Sequence, residues 1–276
     1  MTAEIVAMWV AVTFYALGTA AYIIGVTLER EKFIRLAFAV STVGMLPHLV
    51  AFAVRWVRIG RGPILGFYEA ASKLALLSVL VFALLAWRQP RLKPLGVAIM
   101  PVVTLLIAGA MLSPKSELAI TGALASYWLI VHIAFANLAF ASFVASFALA
   151  VGYVVRARSV EGPWARHLAK LPAQEIIDDL SARLAIVGFL FWGVMIASGA
   201  IWANESWGRY WGWDPIETWS LVVWLVYAAY LHARIAMGWR GEKSAWLAIV
   251  AMPLCAFSLL GVPTVFKSVH GGYLAL

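Results

Sequence analysis

Long apolar stretches recur along the whole chain, separated by short polar ones. A bilayer core about 30 Å thick needs about 20 mostly apolar residues in a spanning helix. On that measure the pattern predicts eight helices, at roughly 5–28, 33–57, 67–87, 94–112, 124–155, 182–203, 216–237 and 245–266. The fifth is the longest, and its last turns are expected to leave the membrane. The first run has no basic stretch before it: residues Met1 to Ala7 carry one Glu and no Lys or Arg. No small-residue cleavage site follows, so this run reads as a true span and not as a removed signal peptide. The expectation is an all-α, polytopic integral membrane protein forming a single membrane domain over residues 1–276. Helices 1–5, about 5–155, are separated from helices 6–8, within about 182–276, by a polar connector at about 156–181. The connector holds Pro163, Pro172 and an acidic patch at Glu175, Asp178 and Asp179. There is no internal repeat.

Composition sharpens this picture. Hydrophobic types make up 64% of the residues and charged types 12%, with a mean hydropathy of +0.90, which excludes an ordinary soluble domain. The net charge of +8 would suggest nucleic acid in a soluble protein. In a membrane protein, Lys and Arg collect in the cytoplasmic loops, and no nucleic-acid partner is expected. Fourteen of the 21 basic residues fall in the segments near 29–35, 88–93, 156–183 and 234–243. These are predicted to face the cytoplasm. Both termini and the segments 58–66, 113–123 and 204–215 are then predicted on the outer face. The one cysteine, Cys255, lies in an apolar run, so there is neither an internal disulfide nor a CxxC redox pair. It reads as a small packing residue.

The outer segment 204–215 is unusual. Six of the fourteen tryptophans fall between Trp202 and Trp224. An interfacial aromatic belt accounts for one or two at each helix end. It does not account for Trp207, Tyr210, Trp211 and Trp213 interleaved with Gly208 and Gly212. Glycines let the backbone approach something flat, and indoles offer rigid faces for stacking. Asp214 before Pro215 is placed as the N-cap of the seventh helix, and Glu217 completes a capping-box pattern.

The stretch WGRYWGWDPIETW (207–219) resembles the tryptophan-rich WWD signature of haem-handling membrane proteins. Its continuation through His232 is similar to the CcsA/ResC branch, the membrane subunit of the System II cytochrome c synthase. GRGPILGFYEA (60–70), SYWLIVHIAFANLAFASF (126–143) and SVHGGY (268–273) carry the resemblance along nearly the whole chain. The sequence departs from that family at Ile216, where Lys is usual, at Arg61, where His is frequent, and at Gly271-Gly272, where Ser-Tyr is common.

Of the five histidines, His167 in the connector reads as a solvated surface residue. His132, near the outer start of helix 5, and His270, after helix 8, are predicted on the same face as the tryptophan segment. Haem iron commonly takes two axial histidines, and the resemblance marks these two as the external pair, with Trp207, Tyr210, Trp211, Trp213 and Asp214 forming a shelf for the porphyrin. His232 lies toward the cytoplasmic end of helix 7. A histidine buried in hydrocarbon is costly and reads as functional, and the resemblance makes His232 a transmembrane haem ligand. His48 is its partner, a group supporting a ligand, or a packed histidine bonded to a neighbouring helix. Arg55, Arg58 and Arg61 lie outside, against the charge bias, and are candidates for pairing with haem propionates. Glu69 and Lys73, spaced i, i+4, read as an exposed ion pair, although Tyr68-Glu69 also matches a family motif.

The resemblance implies covalent attachment of haem b to the CxxCH motif of an apocytochrome c. It also implies a ResB/CcsB-like companion and a separate thiol reductant, in a bacterial plasma membrane or a plastid thylakoid. The alternatives are a haem transporter or chaperone without synthase activity, such as a System I delivery subunit, and a quinone- or ion-coupled membrane subunit.

Overall fold

In the computed structural model, residues 2–115, 117, 119–120, 122–158 and 170–270 are described. His167, the Gly271-Gly272 pair and most of the connector lie outside them. The described residues form helices and turns, with no strand. The helices are α1 (Ala3–Thr27), α2 (Glu31–Val43), α3 (Met45–Ile59), α4 (Gly66–Arg88), α5 (Gly96–Leu112), α6 (Tyr127–Arg158), α7 (Gln174–Trp207), α8 (Pro215–Ile235), α9 (Glu242–Ala256) and α10 (Val262–Val265).

Among the described residues, seven helical segments are long and apolar enough to cross a membrane, counting α2 and α3 together as Glu31–Ile59 and the last as Glu242–Val265. The eighth expected span, α8, has 21 residues. At about 1.5 Å per residue this is long enough to cross, but Trp219, Trp224, Tyr227, Tyr230, His232 and Arg234 make it less apolar than the others. The expected second helix is broken at Gly44, between α2 and α3. A Cβ there would lie 2.7 Å from Phe14 Cβ, so glycine lets the bent segment close on α1. The expected connector is shorter than its polar composition suggested. Glu175, Asp178 and Asp179 lie in the first turns of α7.

α6 is the central helix and packs along α7, α4 and α9. Its Ala-rich faces, with Ser142, Ser146 and Gly152, allow the close approach that packing in a bilayer requires. The Ser146 and Ser181 hydroxyls each donate to the other's carbonyl, at 2.9 and 3.0 Å, locking α6 to α7. Phe143 stacks on Tyr227 of α8 with centroids 3.6 Å apart. Trp192 Nε1 donates to the Ser220 carbonyl at 2.9 Å, which fixes α8 against α7.

Ion pairs mark the two ends of the bundle. At one end the Arg234 guanidinium clamps Asp178 at 2.9 Å, Lys170 meets Glu31 at 2.7 Å, and Arg158 meets Glu242. At the other end Arg55, Arg58 and Arg61 meet Glu4, Glu69 and Glu117. The tryptophan-rich segment belongs to this second, aromatic end.

Candidate functional site

His132 projects from α6 into the aromatic end. Its Nδ1 lies 2.8 Å from the Met195 carbonyl. A carbonyl only accepts, so Nδ1 carries the proton and donates, leaving Nε2 as the lone-pair nitrogen. Gly199, one turn along α7, makes room for the ring: a Cβ there would lie 2.6 Å from His132 Nδ1.

His270 is positioned by a different device. Asp214 is the N-cap of α8, accepting from the Ile216 N–H at 3.0 Å, and Glu217 closes the capping box by accepting from the Asp214 N–H at 3.1 Å. The same Asp214 carboxylate accepts from the Ser268 hydroxyl at 2.7 Å and the Val269 N–H at 2.9 Å, and meets His270 Nδ1 at 3.3 Å. Burial works to raise the Asp214 carboxyl, but these hydrogen bonds outweigh it and hold the group below its usual range. Burial pushes the His270 imidazole below its ordinary value, against the pull of Asp214. The arrangement is therefore an ionised carboxylate behind a neutral imidazole whose Nε2 is available to a metal. Asp214→Ala is expected to cost about 1 kcal/mol as a lost cap, which thermal unfolding of the purified protein measures.

Trp202, buried on α7, packs beside both histidines. Its centroid is 6.4 Å from His132, nearly parallel to it, and 5.7 Å from His270. Trp207 meets His270 edge-on at 5.1 Å. Two clefts, of about 740 and about 700 Å³ including their open mouths, share His132, Trp202, Leu259 and His270 in their walls. The first runs between α4 and α6. The second runs beneath Tyr210, Trp211, Ile216 and Glu217. Leu259 comes from a π turn, Phe257–Gly261, that widens the last helix where both clefts meet it.

The structure thus brings together His132, His270, Trp207, Tyr210 and Trp211. Trp213 is exposed, edge-on to Trp211, and walls neither cleft. Its φ of 57° is a left-handed conformation that a bulky residue rarely adopts. Trp202 belongs to the aromatic run but is not singled out by it, because its contact with both histidines is a tertiary fact. Ser268 was missed for the same reason.

Arg55, Arg58 and Arg61, the propionate candidates, each meet a carboxylate in this arrangement. Arg55 Nε donates to Glu69 at 2.7 Å, Arg58 NH2 to Glu4 at 2.8 Å, and Arg61 NH1 to Glu69 at 3.1 Å. Glu69 and Lys73 do not form an exposed pair. Glu69 is buried and serves Arg55, Arg61 and the Leu65 N–H, at 2.7 Å for the last. His48 takes the packed alternative, with Nδ1 3.2 Å from Tyr15 Oη and Nε2 2.8 Å from Ser72 Oγ, so both ring nitrogens are engaged. His48 is not packed against His232, which is exposed on α8. Cys255 is buried, as expected of a packing residue.

Among the described residues, no three His, Cys, Asp or Glu side chains gather to hold a bare metal ion. A metalloporphyrin asks for less. Its ring supplies four nitrogens, and the protein needs to supply one or two axial ligands. A pair of neutral imidazoles beside buried indoles fits that demand.

The family model described as cytochrome C assembly protein matches residues 64–270. A protein named cytochrome c biogenesis protein CcsA from Synechococcus sp. (strain CC9605) is 32% identical over 270 residues, covering 88% of this chain and 87% of that one. The protein of the same name from Chlamydomonas reinhardtii is 34% identical, covering 79% of this chain and 62% of its own length. Among solved structures, one named cytochrome c heme lyase CcmF superposes with a TM-score of 0.73 at 20% identity. The match covers 99% of this chain and 48% of that one, so this chain spans about half its length.

Proposed function

This chain belongs to the cytochrome c assembly protein family, and we propose that it takes haem as a substrate and presents it to an apocytochrome c for covalent attachment, as the membrane subunit of a cytochrome c synthase. The names of its relatives, CcsA, and of its structural neighbour, a haem lyase, support a place in cytochrome c biogenesis. The observation that carries the reading is the pairing of His132 and His270. Both are held through Nδ1, by Met195 and Asp214 respectively, and both wall the same two clefts with Trp202.

The substrate is haem b, whose two vinyl groups are the reacting centres. Each thiol of the partner's CxxCH adds across one vinyl: a carbon–sulfur bond forms and the thiol proton ends on the adjacent carbon, with no net oxidation. The chain's own contribution is positioning. His132 and His270 fix the iron, while Trp207, Tyr210 and Trp211 border the porphyrin. Holding reactants in place in this way is worth several kcal/mol. The CxxCH histidine then displaces one of the two ligands. The thiols must arrive reduced, and this chain has no CxxC pair to reduce them, so a separate reductant is required.

The loop-charge bias supports an outer location for the aromatic end, with both termini on that side. The membrane is a bacterial plasma membrane or a thylakoid. His232, exposed toward the opposite end, is where a ResB/CcsB-like companion supplies the second ligand for haem on its way outward.

The test is reconstitution of the purified protein with its companion, reduced CxxCH apocytochrome and haem. Thioether formation, read as the shift of the pyridine haemochrome band, is expected. A wild-type protein without a Soret band, or one that passes haem on without attachment, overturns the synthase reading.

A further inference from the structure

The walls of the two clefts carry charge unequally. Among the described residues, the one cationic side chain in the wall of the first, between α4 and α6, is Lys73, and the one anionic side chain in the wall of the second is Glu217. The rest of the first wall is mainly apolar, including Ile64, Leu65, Leu74 and Leu129.

Lys73 is in an anomalous position. Local helix geometry assigns it Glu69, one turn back. Both Glu69 oxygens are taken instead, Oε1 by Arg55 and Oε2 by Arg61 and the Leu65 N–H. Lys73 Nζ is buried and has no hydrogen-bond partner among the described residues. Asn137 Oδ1, in the same cleft wall, is also buried and without one. An ammonium among leucines, with no anion on it, is an unfavourable arrangement that persists where a ligand completes it.

Resting on the reading that haem is the substrate held by His132 and His270, we infer that Lys73 receives a propionate carboxylate of that haem. His132 and His270 wall both clefts, and in the first of them Lys73 is the cation that an entering carboxylate meets. The three nearby arginines are held by carboxylates, and the wall of the other cleft carries an anion, Glu217, that has Arg209 3.8 Å away. A lysine forms a point-charge contact with the carboxylate, without the bidentate fork an arginine would offer. Lys73 is thus a specificity-determining residue: it selects a porphyrin bearing free carboxylates and sets which edge of the ring lies between α4 and α6.

The experiment titrates haem-free protein in detergent with Fe(III) protoporphyrin IX and with its dimethyl ester, following the Soret band. Wild type, Lys73→Met and Lys73→Arg are compared by the ratio of the two affinities, which cancels partition into detergent. Lys73→Met is expected to weaken binding of the free acid about tenfold, leave the ester unchanged, and so collapse the ratio. Lys73→Arg is expected to keep the preference. An unchanged ratio in Lys73→Met overturns the inference. Equal weakening of both porphyrins also overturns it, since the amine would then serve the fold or a lipid headgroup. Failure of the wild type to bind either porphyrin with a histidine-dependent spectrum overturns the functional reading together with this one. A histidine-dependent spectrum in the wild type, together with an affinity ratio that Lys73→Met leaves unchanged, overturns this inference alone.

Discussion

Alanine at His132 or at His270 is expected to lower the haem retained through purification by at least about tenfold, and to convert a six-coordinate low-spin Soret spectrum into a five-coordinate high-spin one. The two variants should differ in repair. His132 stands on α6, the most buried helix, with Gly199 opposite its ring. Its removal leaves a walled space the size of an imidazole, so added imidazole should restore the low-spin spectrum readily. His270 follows α10 and depends on Asp214 and Ser268 for its place. Its removal loosens the segment itself, so rescue by imidazole should be weaker. His48→Ala is the contrasting control. It leaves the Tyr15 and Ser72 hydroxyls without their partner and should lower thermal stability while keeping the spectrum. A low-spin spectrum that survives in both His132→Ala and His270→Ala would show that the iron is held elsewhere.

The spans were legible because each is an apolar run that water would not tolerate. Two boundaries were not. The break at Gly44 depends on the close approach of Phe14, which no local pattern carries. The first turns of α7 are acidic, and their composition reads as a loop. They are helical because Asp178 is bound by Arg234 and by the Gly241 N–H, at 2.9 and 3.2 Å. At the site, the capping box at Asp214 was legible from spacing alone, since capping is a local interaction. That Asp214 also holds Ser268 and His270 was not, because those partners are more than fifty residues away. Lys73 shows the limit most clearly. Its i, i+4 spacing to Glu69 is correct, yet arginines from α3 and the loop after it take both Glu69 oxygens.

Removal of Arg55 should unfold the aromatic end more than any other single charge change. Arg55 is buried at 2% exposure, and so are its partners Glu4 at 1% and Glu69 at 2%. Its guanidinium ties the start of α1 to that of α4, with distances of 3.1 and 2.6 Å, and lies 4.9 Å from the Tyr68 ring. With Arg58, Arg61 and Glu117 the cluster holds three cations and three carboxylates, so it adds no net charge to its side of the membrane. Arg55→Ala leaves two buried carboxylates short of a cation, and breaking such a pair from one side costs about 3–5 kcal/mol. The expected result is a large fall in the unfolding temperature, with haem retention falling too, because Glu69 also holds the Leu65 N–H in the wall of the first cleft. Replacing Arg55 and Glu69 together by Met should cost less than the sum of the single changes, since the orphaned charge is removed along with its partner. Thermal melts of the two single variants and the double variant, followed by tryptophan fluorescence, measure that coupling. Strict additivity would mean that the cluster is a set of independent surface charges and not the clasp between α1, α3 and α4.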